Sequence, residues 1–136
     1  MKKAKKNAQE QRLSVGWAIR DVSTDKPVGI RGQFYLRLSE GVMDPVTVTS
    51  LALDNGADAV IFLACDTVGI NSSIVKMIRE RVRKADPSVP AEKIVINATH
   101  AHTGGDLYDS SDEFPCALPR MPGSEYQVFF ADHAAA

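Results

Sequence analysis

Two apolar runs, Ala59-Val60-Ile61-Phe62-Leu63-Ala64-Cys65 and Ile94-Val95-Ile96, flank a segment with helical hydrophobic spacing, and no other feature constrains the fold as much. In that segment Ile74, Ile78 and Val82 recur four residues apart, while Lys76, Arg79, Glu80, Arg83 and Lys84 occupy the remaining positions. This is the pattern of a helix that buries one stripe. Asn71 or Ser72 can cap its start, and Asp86-Pro87 ends it. Strand, helix and strand in that order predict a β-α-β unit from Ala59 to Ala98, with a right-handed crossover and parallel strands. The first run is apolar throughout, so it is expected to be covered on both faces.

Further strands precede this unit. Leu13, Val15, Trp17 and Ile19 alternate with smaller or polar residues and read as a strand with one apolar face. The stretch from Asp25 to Gly32 contains Pro27, Gly29 and Gly32 and reads as a turn-rich connection outside any regular element. Asp44-Pro45 opens a strand through Val46, Val48, Leu51 and Leu53, and Asp54-Asn55-Gly56 supplies turn chemistry for a hairpin into the Ala59 run. The expected fold class is α/β, a mixed sheet containing a parallel β-α-β unit. Past Gly105 the chain carries Asp106, Asp109, Ser110, Ser111, Asp112, Pro115, Pro119 and Pro122, the composition of a long irregular loop. A helix is expected over Glu125 to Ala134, and the sequence stops there without a stop signal, as if cut short.

A chain of 136 residues with 44% hydrophobic content can build one core but not two. Residues 1–12, with Lys2, Lys3, Lys5, Lys6 and Arg12, read as a disordered basic leader, and 13–136 as the folded part. No apolar stretch follows the lysines as a secretory signal would require, and no run is long enough to span a bilayer, so the default expectation is a cytoplasmic chain. A net charge of -1 gives no reason to expect nucleic acid as a partner. Cys65 and Cys116 are too few for a disulfide framework; Cys65 reads as a small buried hydrophobe and Cys116 as a loop thiol. Trp17, Phe129 and Phe130 read as core.

The residues with chemical potential sit where parallel strands end, the usual ligand-binding rim of such sheets. Asp66 follows the first strand of the unit, and Asn97-Ala98-Thr99-His100-Ala101-His102-Thr103-Gly104-Gly105 follows the second. If strand alternation continues, His100 and His102 point to the same side and can converge on one metal ion or substrate. Neutral imidazole is the commonest protein ligand for zinc. The plainer reading is a polar loop with two solvated histidines, and Asp66 as a loop carboxylate bonded to backbone. Gly104-Gly105 is a weak phosphate-cradle signal, since no lysine or helix pattern follows closely. His133, beside Asp132, reads as solvated or packed.

Gly16-Trp17-Ala18-Ile19-Arg20-Asp21, the Asp44-Pro45 strand opening, the strand ending at Asp66 and Thr99-His100-Ala101-His102-Thr103-Gly104 occur in an order that resembles the amino-terminal part of the neutral/alkaline ceramidase family. The resemblance runs from about Val15 to the end and implies an incomplete portion of a larger zinc amidohydrolase that cuts N-acylsphingosine or a related amide with metal-activated water. It implies that His100 is a zinc ligand and that His102 helps polarise the amide carbonyl or hold the oxyanion. Asp66, by position alone, could orient an imidazole. Ala101, Thr103 and Gly105 depart from the family's Thr-His-Thr-His-Ser-Gly-Pro, which implies a more pliable loop, and the acidic loop around Asp106, Asp109 and Asp112 suits a smaller or more polar amide than one with a long acyl chain. The family's other zinc ligands lie in sequence this chain does not contain, so the chain alone is expected to be inactive. The expected partner is a small-molecule amide or lipid substrate, with oligomeric state left open. The alternative is a non-catalytic metal- or ligand-binding α/β module, or an inactive gene remnant.

Overall fold

The computed structural model describes residues 12–108 and 118–136. The basic lysines of the leader, Asp109, Ser110, Ser111, Asp112, Pro115 and Cys116 lie outside the described residues. The elements run β1 (Ser14–Asp21), β2 (Gly29–Ile30), β3 (Arg37–Leu38), β4 (Thr47–Asp54), β5 (Ala59–Cys65), α1 (Ser72–Ala85), a 3-10 turn (Ala91–Lys93), β6 (Ile94–Ala98) and α2 (Gly123–Ala134). The main sheet has strand order β1-β4-β5-β6, with β1, β4 and β5 antiparallel in turn and β6 parallel to β5. The fold is thus α/β with a mixed sheet, and the parallel pair is the one the β-α-β pattern requires.

Local chemistry accounts for the joints. Gly56 adopts a positive φ of 80° in the β4–β5 turn, where the Asp54 carboxylate accepts its amide at 2.6 Å and Asn55 Oδ1 accepts those of Ala57 and Asp58. Asn71 caps α1, its Oδ1 accepting the Ile74 amide at 3.0 Å. Ile74 and Ile78 are then fully buried.

Strand alternation divides the sheet into two unlike faces. Val48 on β4, Leu63 and Cys65 on β5 and Ile94 on β6 point into a core closed by Ile74 and Ile78 of α1 and by Tyr126, Phe130 and Ala131 of α2. Arg81 of α1 pairs with Asp132 of α2, tying the two helices on that side. On the other face Trp17 is level with Leu51, Leu51 with Phe62 and Phe62 with Val95, a row of apolar side chains across all four strands. All four side chains are exposed, Trp17 at 75% and Phe62 at 39%, and Val15 and Ile19 extend the patch along β1.

Two expectations are corrected by this arrangement. β5 is covered on one face only, because both helices pack on the same side of the sheet. Trp17 is a surface residue and not core, although Phe130 is fully buried as expected. A third difference lies in the turn-rich segment. Gly29–Ile30 pairs with Arg37–Leu38 as a separate two-stranded sheet, too short for any periodic signal.

The Cys65 thiol is fully buried, and that burial, with the neighbouring Asp66 charge as a smaller cause, pushes its pKa up to about 12. In a Cys116→Ser background, Cys65 is therefore expected to resist a thiol-specific disulfide reagent at pH 8 in the native chain and to react at once in urea. Rapid native labelling would show that this part of the core opens freely.

Candidate functional site

The carboxyl ends of β5 and β6 and the start of β4 meet at one rim, and hydrogen bonds to Asp66 hold them together. Its Oδ2 accepts the Thr47 amide at 3.0 Å and the Thr47 hydroxyl at 2.8 Å, while Oδ1 accepts the Thr99 hydroxyl at 3.0 Å. The Thr99 amide donates to the Cys65 carbonyl at 2.9 Å. Thr99 directly precedes His100, so Asp66 fixes where the histidine loop leaves the sheet.

His100 and His102 do come together, but not by strand alternation. β6 ends at Ala98, and His100 adopts a left-handed backbone with φ 65°, uncommon for a residue with a side chain. That turn brings the two imidazoles edge to face, with ring centroids 5.0 Å apart. His100 Nδ1 lies 2.8 Å from the Val68 carbonyl oxygen, which can only accept, so Nδ1 donates there, and in a neutral ring Nε2 keeps the lone pair. A backbone carbonyl on the far nitrogen is the usual device for orienting a metal-bound histidine. Asp66 does not take that place: its carboxylate bonds to Thr47 and Thr99, and the acceptor for imidazole is Val68.

The His102 carbonyl accepts from the Arg37 guanidinium of β3. Its ring packs against Gly32, where φ is 112° and a Cβ would come within 2.5 Å of the His102 Cγ. Two more glycines allow close approach at the end of the loop. A Cβ on Gly104 would lie 2.3 Å from the Asp66 carbonyl oxygen, and one on Gly105 would lie 2.3 Å from the Tyr126 ring. Gly104-Gly105 is therefore a packing device and not an anion cradle. Burial raises the Tyr126 phenol to about 12, partly offset by its hydrogen bond with the Gly105 backbone. His133 neither faces this rim nor stands free; its Nδ1 bonds to the Phe129 carbonyl and its ring packs on Phe129.

A cleft of about 390 Å³ opens beside the loop, lined by Asp66, Ala101, Thr103 and Tyr126 and by Val42 and Met43 among others. His100 and His102 adjoin this cleft without lining it. Among the described residues no group of three or more His, Cys, Asp or Glu side chains could hold a metal ion. Catalytic zinc takes about three protein ligands and an open position, a set that the described residues do not complete.

The fold aligns with the crystal structure of neutral ceramidase from Pseudomonas aeruginosa at a TM-score of 0.75 and 15% identity, covering 93% of this chain and 21% of that one. A structure of a ceramidase complexed with C2 aligns at a TM-score of 0.69 and 15% identity, over 90% of this chain and 20% of its own. This chain spans about a fifth of the length of those two solved structures. No family model matches the sequence, and no curated protein matches it. At this identity the likeness is one of fold.

Strand order alone places Asp66, Thr99 and both histidines at this rim, but nothing in the sequence marks the Val68 carbonyl, Gly32 or Arg37 as their partners. Gly32 lay in view as one of several turn glycines. For Arg37 no local signal exists, because its partner is 65 residues away. No helix among the described residues is long and apolar enough to cross a membrane.

Proposed function

We propose that this chain is the portion of a ceramidase-like zinc amidohydrolase that contributes His100 and His102 to the active site. The observation that carries this reading is the His100 imidazole, held through Nδ1 by Val68 with Nε2 presented at the rim of a fold shared with neutral ceramidase. His100 would hold zinc through Nε2. Zinc, when bound, supplies Lewis acidity. His102, beside it, would donate toward the amide oxygen as negative charge gathers there, a role typically worth a hundredfold or more in rate. Asp66 would keep both histidines in place through Thr99. The further zinc ligands, and the layer over the open apolar sheet face, would come from polypeptide outside this sequence. The substrate class is an amide with an acyl chain, N-acylsphingosine or a smaller relative.

The test begins with the intact mass of the native product from its source, followed by an assay of that product for zinc-dependent release of fatty acid from N-acyl amines. Release that falls by more than about a hundredfold in His102→Ala, and that His100→Ala abolishes together with zinc binding, is the expected result. The 136-residue chain alone should release none. A native product ending at Ala136, or turnover indifferent to His100, would overturn the reading.

A further inference from the structure

We propose that the β2–β3 hairpin is the positioning element for His102, with Arg37 as its clamp and Gly32 as its seat. The two histidines are held in different ways. The His100 ring is fixed directly by the Val68 carbonyl. At His102 the bond to Arg37 is made by the backbone carbonyl, and the ring rests on Gly32 and against the edge of His100. Where the His102 ring points therefore depends on the backbone that Arg37 grips and on the space left by the missing side chain at Gly32.

The hairpin is itself anchored to the chain that follows the histidines. The Asp106 amide donates to the Gly29 carbonyl at 2.8 Å, and Ile30 forms an isolated antiparallel bridge with Gly105. Arg31 reaches Asp106 at 3.5 Å, and its guanidinium lies 4.5 Å over the Tyr108 ring. Those contacts tie the hairpin to the chain that follows the histidines, while Arg37 and Gly32 both meet His102. Among the described residues, Arg37 Nε is buried without a hydrogen-bond partner, and the guanidinium bonds to the His102 carbonyl through Nη2.

The catalytic use of this device rests on the reading of His102 given above, but its test does not. In the 136-residue chain, with no metal or substrate present, the backbone 15N order parameters of His100 and His102 are measured in the parent, Arg37→Lys, Arg37→Ala and Gly32→Ala. The parent is expected to be rigid at both residues, near 0.85 or so by comparison with ordered backbone. Arg37→Ala should bring His102 below about 0.6 while His100 stays rigid. Arg37→Lys keeps one donor within reach of the carbonyl and should restore much of the order. Gly32→Ala should leave backbone order high but move the His102 ring resonances. Equal order at His102 in the parent, Arg37→Lys and Arg37→Ala would overturn the proposal, as would equal loosening of His100. If Arg37→Ala fails to fold, Arg37→Met, which keeps the bulk of the side chain but carries no donor, decides: His102 as rigid as in the parent then refutes the clamp, and selective loosening at His102 supports it. Absence of zinc-dependent amidase activity from the native product, with these changes in order observed, would count against the function alone.

Discussion

Replacing Gly104 by alanine should destabilise the chain by about 3 kcal/mol, the upper end of the usual cost of overpacking, and should unseat the histidine loop. The added Cβ would come within 2.3 Å of the Asp66 carbonyl oxygen and 3.3 Å of the Thr67 Cα. Both are backbone atoms next to the end of β5, so no side chain can swing away to make room. Thr67 is itself buried and Asp66 is tied to two other strand ends, which leaves the clash nowhere to relax. Gly16→Ala is the matched control, because nothing lies within 4 Å of the Cβ it would add. Urea unfolding of the two variants checks the expectation: Gly16→Ala should stay within about 0.5 kcal/mol of the parent. Equal midpoints for both variants would show that the loop does not rest on the β5 backbone as described.

The open sheet face should make the isolated 136-residue chain bind hydrophobic dye and self-associate as its concentration rises. Trp17, Leu51, Phe62 and Val95 form an apolar row across the four strands that Val15 and Ile19 extend, and contiguous exposed apolar surface of this kind usually has a covering partner. Trp17 is the only tryptophan, so its emission reports on this face directly. At low concentration it should match water-exposed indole, and it should shift to the blue as chains associate. Trp17→Lys should weaken both dye binding and association, because burying an unpaired ammonium in an apolar contact is costly. A monomeric chain with blue-shifted emission and no dye binding would mean that this face is already covered, which would favour a complete small binding module over a portion of a larger domain.

The sequence alone carried the parts of this protein that depend on neighbours along the chain. The β-α-β order, the Asn71 cap, the Asp54-Asn55-Gly56 turn and the location of Asp66 and both histidines at strand ends were legible because periodicity and turn chemistry act over a few residues. The burial of Ile74, Ile78 and Cys65 was legible for the same reason. Tertiary structure alone decided what covers each face. Alternation in β1 and β5 marks which residues share a side, but that two helices close one side and leave Trp17 and Phe62 open on the other is a matter of packing. It also decided how the histidines are held. Val68 lies 32 residues from His100 and Arg37 lies 65 from His102, and contacts at such separations leave no local pattern in the residues that make them.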